Sequence, residues 1–391
     1  MSDHMGEERL IGYCTNVHAG TDLKQTKDNL VRYAGAVRNY RQQSTPLPIG
    51  LWLSAQSISE LNDEAARDQF ANWLFDNALN VYTINGFPYF DFHEPVVKHR
   101  VYNPDWSCPE RATFTRHLAV LLATILPPGS EGSISTLPVA WGHATQDPTR
   151  INSAVDQLVA MSQFLAELSD RTDRLIHLDL EPEPGCVLSQ SRDVAPFFEK
   201  LYKRGDSDLI YRHIRICHDI CHAAVMFEEP QAPFAAYAAA GAQVGKVQVS
   251  SALTWCLKDL CPPDRILARQ QLKAYAEPRY LHQTSIRRGL DGPVDFYEDL
   301  SEAFQNAGED SCDDEWRIHF HIPIHLKAIG ALGTTQSHIK AVTDLLKEQN
   351  VIYPLEIETY AWNVLPDHQG DDKLIQGIAA ELEWFEDLIN V

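Results

Sequence analysis

A chain of 391 residues, 44% of them hydrophobic, can bury a large core, as one large α/β unit or two smaller ones. Lysine and arginine total 33 against 54 aspartates and glutamates, a formal charge of -21 that repels phosphate backbones and anionic membrane faces; this argues against nucleic acid as a partner but leaves small phosphorylated metabolites open. Eight scattered cysteines without a CxxC pair, an N-terminus (MSDHMGEERL) with no signal-peptide pattern and no apolar run near the ~18 residues of a membrane span predict a soluble, reduced, cytoplasmic protein without membrane insertion.

Short apolar, β-rich runs begin near residues 10 (LIGYCTNV), 49 (IGLWLSA), 80 (NVYTINGF), 134 (ISTLPVAWG), 175 (LIHLDLEP), 214 (IRICHDI), 246 (KVQVSSA) and 353 (YPLEIETY). Helix-period segments alternate with them at 23–43, 57–79, 109–127, 147–170, 193–204, 230–244 and 334–349, the second opening on Ser57 and Glu60 in capping-box spacing. Eight β-then-α units in series predict an α/β fold, a (β/α)8 TIM barrel formed as a single domain over residues 1–391. One segment breaks the rhythm. Residues 253–325, holding YLHQTSIRR and WRIHFHIPIH, are expected to form an inserted loop and hairpin over the barrel mouth after strand seven, with a small separate domain as the alternative.

Residues i and i+2 of a strand share a face, so each run shows what it sends inward at its carboxyl end, where a TIM barrel keeps its active site. His177, Asp179 and Glu181 share one face of IHLDLEPEPG; Cys217 and Asp219 share one in RICHDICH; Gln248 and Ser250 in KVQVSS; Glu356 and Glu358 in LEIETY; His319 and His321 in HFHIPIH. The last inward polar groups of strands five to eight are therefore Glu181, Asp219, Gln248 and Glu358. This all-oxygen set suits Mg²⁺ or Mn²⁺, and nearby imidazole widens the choice to Co²⁺, Fe²⁺ or Zn²⁺. The four-residue recurrence of Cys and His in RICHDICHAA would make a metal clamp on a helix; on a strand it is incidental, and Asp219 with His222 is the working pair. Cys217 and Cys221 are expected as inert core thiols, His177 and His218 as structural, and Trp52, Tyr82 and Trp362 as packing.

These residues carry a family likeness. DICHAA resembles the Asp-x-x-His step of the xylose-isomerase-like TIM barrels, a superfamily that includes sugar epimerases, hydroxypyruvate isomerase and endonuclease IV. LEPEPG looks like the strand that supplies their first metal glutamate, KVQVSS like the variant with glutamine in the seventh-strand ligand position, and LEIETY like the final strand. More specifically, TINGFPYFDFH, VKHRVYNPDW, GSISTLP, LDLEPEPGC, CHDICHAAV, KVQVSSAL, YLHQT, HFHIPIH and EIETYAWNVLP together resemble the E protein of the Ebo operon, a family named for metabolite traffic. The resemblance implies a divalent-metal-dependent isomerase or epimerase of secondary metabolism, acting on a polyhydroxylated small molecule such as a sugar, a cyclitol or their phosphates. In that scheme Glu181, Asp219, Gln248 and Glu358 bind the metal, Glu181 and Glu358 move a proton, and His222 orients a substrate hydroxyl. His321 and His319, with Asn85 and His93 of TINGFPYFDFH, contact the substrate. HFH is closer to endonuclease IV than to the simple epimerases, so the alternatives are a metal-dependent phosphoester hydrolase, with His319 and His321 holding further metal, and a non-catalytic carrier. A homo-oligomer is left open.

Overall fold

A computed structural model describes residues 10–142, 147–308, 310–349, 351–365 and 370–390; the stretch MSDHMGEER, read above for a signal pattern, and Pro366 of the last motif lie outside them. The strands in chain order are β1 (Ile11–Cys14), β2 (Leu47–Trp52), β3 (Leu79–Asn85), β4 (Glu131–Thr136), β5 (Leu175–Leu180), β6 (Ile214–Asp219), β7 (Val244–Val249), β8 (Leu253–Cys256), β9 (Thr284–Arg287), β10 (Val294–Tyr297), β11 (Glu315–Ile318), β12 (Ala328–Ile329), β13 (Leu332–Thr334) and β14 (Leu355–Ile357). Strands β1 to β7 and β14 close a parallel barrel in the order β1-β14-β7-β6-β5-β4-β3-β2. Helices over Glu64–Asp76, Pro109–Ile125, Pro148–Thr172, Val194–Arg204 and Ala232–Ala239 make crossovers that parallel pairing requires, and Asp371–Asn390 follows β14. This is the expected (β/α)8 architecture.

Local capping moves one boundary. The expected helix at 57–79 is two helices: Ser54 accepts from Ser57 N and opens Ala55–Ser59, then Asp63 accepts from Ala65 N and opens Glu64–Asp76. A side-chain oxygen that takes a free N–H two or three residues on starts each helix, and the Ser57–Glu60 spacing does not. RICHDICHAA also divides. Its first half is β6, and Asp219 then caps a helix over Ile220–Val225 by accepting from His222 N at 2.8 Å. One aspartate thus ends a strand and starts a helix, and Cys217 and Cys221 are both buried.

The barrel lumen is polar below its mouth. Lys246 donates to Glu356 Oε2 at 2.6 Å and Ser135 Oγ at 2.9 Å, and Asp179 accepts from Ser133 at 2.6 Å with His177 Nδ1 also at 2.6 Å. Glycine makes room for these acids: a Cβ on Gly50 would lie 1.4 Å from Glu356 Oε1, and one on Gly245 would lie 2.3 Å from Asp179 Oδ1. Pairing is what makes such burial tolerable, because a lone buried charge is strongly destabilising.

Between β7 and β14 the chain builds a second sheet, antiparallel throughout, in the order β10-β9-β11-β8-β13-β12. It runs from Leu253 to Thr334 and includes helices over Pro262–Ala274 and Leu300–Asn306, more regular and longer than a loop with one hairpin. WRIHFHIPIH enters it as β11, with Trp316 packed on Trp255 of β8. Beyond Ile318 the same extended chain leaves the sheet for the barrel: His319 N donates to Gln283 O at 2.9 Å and Ile322 N to Ser251 O at 3.1 Å. The segment after β3 is tied to this region through Val97 N and Lys98 N, which both donate to Arg279 O. No helix among the described residues is long and apolar enough to cross a membrane.

Candidate metal and active site

Glu181 follows β5, Asp219 ends β6, Gln248 lies in β7 and Glu358 follows β14. Carboxylate oxygens of Glu181, Asp219 and Glu358 come within 4.8 Å of one another. Gln248 sits between two of these acids in the ladder, registered with Asp219 on one side and with Glu356, two residues before Glu358, on the other. All four side chains are buried. Glu181 Oε2, Asp219 Oδ2 and both amide atoms of Gln248 have no hydrogen-bond partner among the described residues. Burial, followed by the charges of Glu358 and Asp219, holds the Glu181 carboxyl well above the usual range. Burial and then Asp219 and Glu356 do the same to Glu358. Unpartnered oxygens converging in a low-dielectric site, with like charges raising both glutamates, are the donor set a hard divalent cation relieves. The residues present fit such an ion.

Each ligand has supports. Asp219 Oδ1 accepts from Ser250 Oγ at 2.7 Å as well as from His222 N, which leaves Oδ2 for the site. Burial would raise Asp219, but His222, His321 and these two hydrogen bonds outweigh it and the net shift is downward. Glu358 Oε1 accepts from Asn16 Nδ2 at 2.6 Å and Asn85 Nδ2 at 3.0 Å. His93 does not line the cavity; its Nε2 meets the backbone oxygen of Asn16 at 2.7 Å, one step behind the residue that touches Glu358.

Three histidines form a second tier. His222 Nδ1 lies 3.0 Å from Pro182 O, His319 Nδ1 2.8 Å from Gln283 Oε1 and His321 Nδ1 3.1 Å from Glu358 O. A carbonyl oxygen only accepts, so each Nδ1 carries a hydrogen and each ring turns its Nε2 to the interior, an assignment made from these partners. Burial lowers His321 to about 4 and pushes His319 well below its ordinary value. Beside them Glu183 Oε1 accepts from Tyr102 Oη and Gln283 Nε2, each at 2.8 Å, and burial raises its carboxyl.

The two tiers share a cavity of about 60 Å³ lined by Asn16, Asn85, Glu181, Glu183, His222, Gln283, His319, His321 and Glu358, with an apolar wall that includes Phe87, Tyr280 and Tyr360. Of the sequence-predicted residues, Glu181, Glu358, His222, His319, His321 and Asn85 line it, and Asp219 joins two of its clusters from behind. Asn16, Glu183 and Gln283 were not singled out by sequence. Asn16 follows Cys14 on the parity of β1, so the strand-end rule applied to β1 would have found it. Gln283 lies outside the barrel strands, and no barrel periodicity points to it.

No protein-family model matches the chain, and no curated protein matches it in sequence. Solved structures do resemble it, a xylose isomerase domain containing protein from Salmonella typhimurium among them, at 10% identity over 97% of this chain and 98% of its own, TM-score 0.45. A D-tagatose 3-epimerase-like protein aligns at 10% identity over 97% of this chain and 98% of its own, TM-score 0.50. A probable 3-DHS dehydratase involved in petrobactin synthesis from Bacillus anthracis aligns at 10% identity over 97% and 99%, TM-score 0.48. The IOLI protein with a binding zinc atom aligns at 9% identity over 98% of both chains, TM-score 0.46. At such identities the likeness is one of fold.

Proposed function

We propose that the chain is a divalent-metal-dependent isomerase or epimerase of sugars or cyclitols, phosphorylated ones included, working by proton transfer next to a carbonyl. The observation that carries this reading is the convergence of Glu181, Asp219 and Glu358, with Gln248 beside Asp219 in the ladder, at a cavity that Glu181 and Glu358 line, where Glu181 Oε2, Asp219 Oδ2 and the Gln248 amide have no hydrogen-bond partner among the described residues. A divalent ion held by these four residues supplies Lewis acidity that polarises a substrate carbonyl and acidifies the neighbouring C–H. Glu181 and Glu358 reach the cavity from separate strands, and between them they remove a proton from carbon and return it. Asn16 and Asn85 occupy Glu358 Oε1, so Oε2 is the oxygen that faces the work. The Nε2 atoms of His222 and His321 hydrogen-bond substrate hydroxyls, a match for a polyhydroxylated compound. Tyr280 and Tyr360 keep water from the reacting carbon, and residues 253–315 act as a cover that substrate binding orders.

A place among the E proteins of the Ebo operon, with a cytoplasmic role in secondary metabolism, belongs to the same proposal and rests on the motifs quoted above. The name of one fold neighbour, a D-tagatose 3-epimerase-like protein, is in keeping with it. The test is to incubate the Mn²⁺-loaded chain with a panel of ketoses, aldoses, keto-cyclitols and their phosphates in D₂O. Deuterium is expected at the carbon beside the carbonyl of one class, and Glu181→Gln and Glu358→Gln should each lose about two or more orders of magnitude in turnover while the fold is kept. Isomerisation without deuterium uptake, or full turnover in both variants, would remove the two glutamates from the chemistry.

A further inference from the structure

Glu183 stands outside the carboxylate ring, yet it lines the same cavity. Its backbone is pinned in the turn after β5, where its N donates to Leu188 O at 2.9 Å and its O accepts from Cys186 N at 3.1 Å. Its side chain is gripped from two other segments: Oε1 accepts from Tyr102 Oη, after β3, and from Gln283 Nε2, before β9, each at 2.8 Å. Gln283 Nε2 also donates to Tyr102 Oη at 2.8 Å, and both residues are buried. Oε1 is thus taken and the carboxyl fixed, while Oε2 is buried with no hydrogen-bond partner among the described residues. An immobilised polar atom left unpaired at a cavity wall is unfavourable until a ligand atom meets it. The charge of the cavity limits what that ligand is. Among the described residues that line it, the only lysine or arginine is Lys98, which is paired with Asp299, each side chain less than a third exposed. A divalent ion in the ring is outnumbered by the three carboxylates that would hold it, so a phosphate group finds no free cationic side chain of the kind that ordinarily binds it.

We propose that Glu183 is a specificity-determining residue that hydrogen-bonds a substrate hydroxyl remote from the reacting carbonyl, and that the substrate is an unphosphorylated polyol. The inference rests on the isomerase or epimerase reading and narrows its substrates. Glu181 groups with Asp219 and Glu358, whereas Glu183, two residues on, groups with His222 and His319, so the hydroxyl that Glu183 reads lies on the histidine side of the cavity. A hydroxyl both donates and accepts, and it therefore pairs with Oε2 in either protonation state of the carboxyl. A site whose buried polar group is orphaned when that hydroxyl is missing rejects the deoxy compound far more strongly than an apolar pocket could. Exclusion of phosphate is the other half of the device. Asp299 caps the helix over Leu300–Asn306 by accepting from Ser301 N, so the second-sheet region fixes the partner that withholds Lys98 from the cavity.

The test measures, by calorimetry, binding to the Mn²⁺-loaded chain of ketoses, aldoses and keto-cyclitols, each with its phosphate and its single-deoxy analogues. The tightest-bound compound is expected to be unphosphorylated, to bind about 10-fold or more tightly than its own phosphate, and to lose about 10- to 100-fold in affinity when one hydroxyl is removed. In Glu183→Leu that deoxy penalty should vanish. Tyr102→Phe keeps the ring and removes one of the two donors on Oε1, so it should lose part of the penalty, and it guards against a Glu183 variant that fails to fold. Asp299→Asn keeps a capping oxygen and frees Lys98: affinity for the phosphate should rise about 10-fold while that for the unphosphorylated compound stays within about threefold. A deoxy penalty that survives in both Glu183→Leu and Tyr102→Phe, or a phosphate that wild type binds more tightly than its parent, overturns the inference and leaves the isomerase reading standing. A panel of which no member binds sinks that reading and the inference with it.

Discussion

The carboxylate ring and the imidazole cluster meet in one cavity but are held by different kinds of structure. Glu181, Asp219, Gln248 and Glu358 sit on or just beyond barrel strands, where the parallel ladder fixes each Cα and the alternation of faces fixes each direction. His222 stands on a helix that Asp219 itself caps, and His319 and His321 stand on chain that has left β11, oriented by the oxygens of Gln283 and Glu358. A site built on a ladder is specified by pattern. A site built on carbonyl partners is specified only once the chain has folded around it.

That contrast explains what the sequence shows. The barrel was legible because eight apolar runs recur at α/β spacing, and the oxygen ring because a period of two puts Glu356 with Glu358, and Asp179 with Glu181, on one face. The HFH spacing marks His319 and His321 as a pair, but nothing in it says that their Nδ1 atoms are occupied or that Glu183 waits beside one of them. The lumen pairing of Lys246 with Glu356 was illegible for the same reason: Lys246 reads as a strand start, and the glycine that makes room for its partner is nearly two hundred residues away at Gly50.

The most disruptive way to break the distinction is Asp219→Ala, because Asp219 belongs both to the carboxylate group and to a group with His222 and His321. It also caps the helix that carries His222. We expect metal affinity to fall at least about 100-fold, beyond the loss of an outer-shell partner, while Cys217→Ser retains its metal. Equal loss in both variants, by elemental analysis, would restore the helical clamp.

Glu381 joins the two tiers from behind. Its carboxylate accepts from Ile324 N at 3.0 Å, three residues past His321, and from Thr359 Oγ1 at 2.6 Å, one past Glu358, with the Trp362 indole on the other oxygen at 3.1 Å. Burial lifts this carboxyl to about 7 against those three donors. A raised folded-state pKa means that the contribution to stability is complete below the unfolded value near 4.5 and is lost as pH rises through about 7, a window worth roughly 3 kcal/mol. Glu381→Gln has no such slope but turns an amide donor toward one of its partners, at about 1 kcal/mol. Its stability curve should therefore start below wild type at pH 5 and meet or cross it by pH 8. Parallel curves in chemical denaturation would mean that the carboxyl does not titrate there.

Gln248→Leu sharpens the oxygen side. Both amide atoms are buried without a hydrogen-bond partner, so leucine, of similar volume, should raise metal-free stability by about 1–2 kcal/mol and lower metal affinity. Opposite signs in the melt and the titration identify a residue kept for binding. A destabilised metal-free protein would show that the amide is satisfied in solution.

Cys221 asks whether sulfur belongs to the imidazole tier. It lies close enough to His319 and His321 to make a three-residue group with them, and a thiolate would bind a borderline ion tightly. Its surroundings oppose ionisation: burial, then the neighbouring Asp219 charge, lifts the thiol well above its usual range, with Glu358 and Glu183 adding to the effect. Ionising it would put one more negative charge among carboxylates already raised by one another, whereas Nε2 of His319 needs no deprotonation to bind. Cys221→Ala should thus keep the cobalt that wild type binds, change its affinity less than about threefold and lower stability by only about 1 kcal/mol, the scale of a small buried truncation. The charge-transfer region of the cobalt spectrum decides it, because a sulfur–cobalt band in wild type that vanishes in the variant would make Cys221 a ligand.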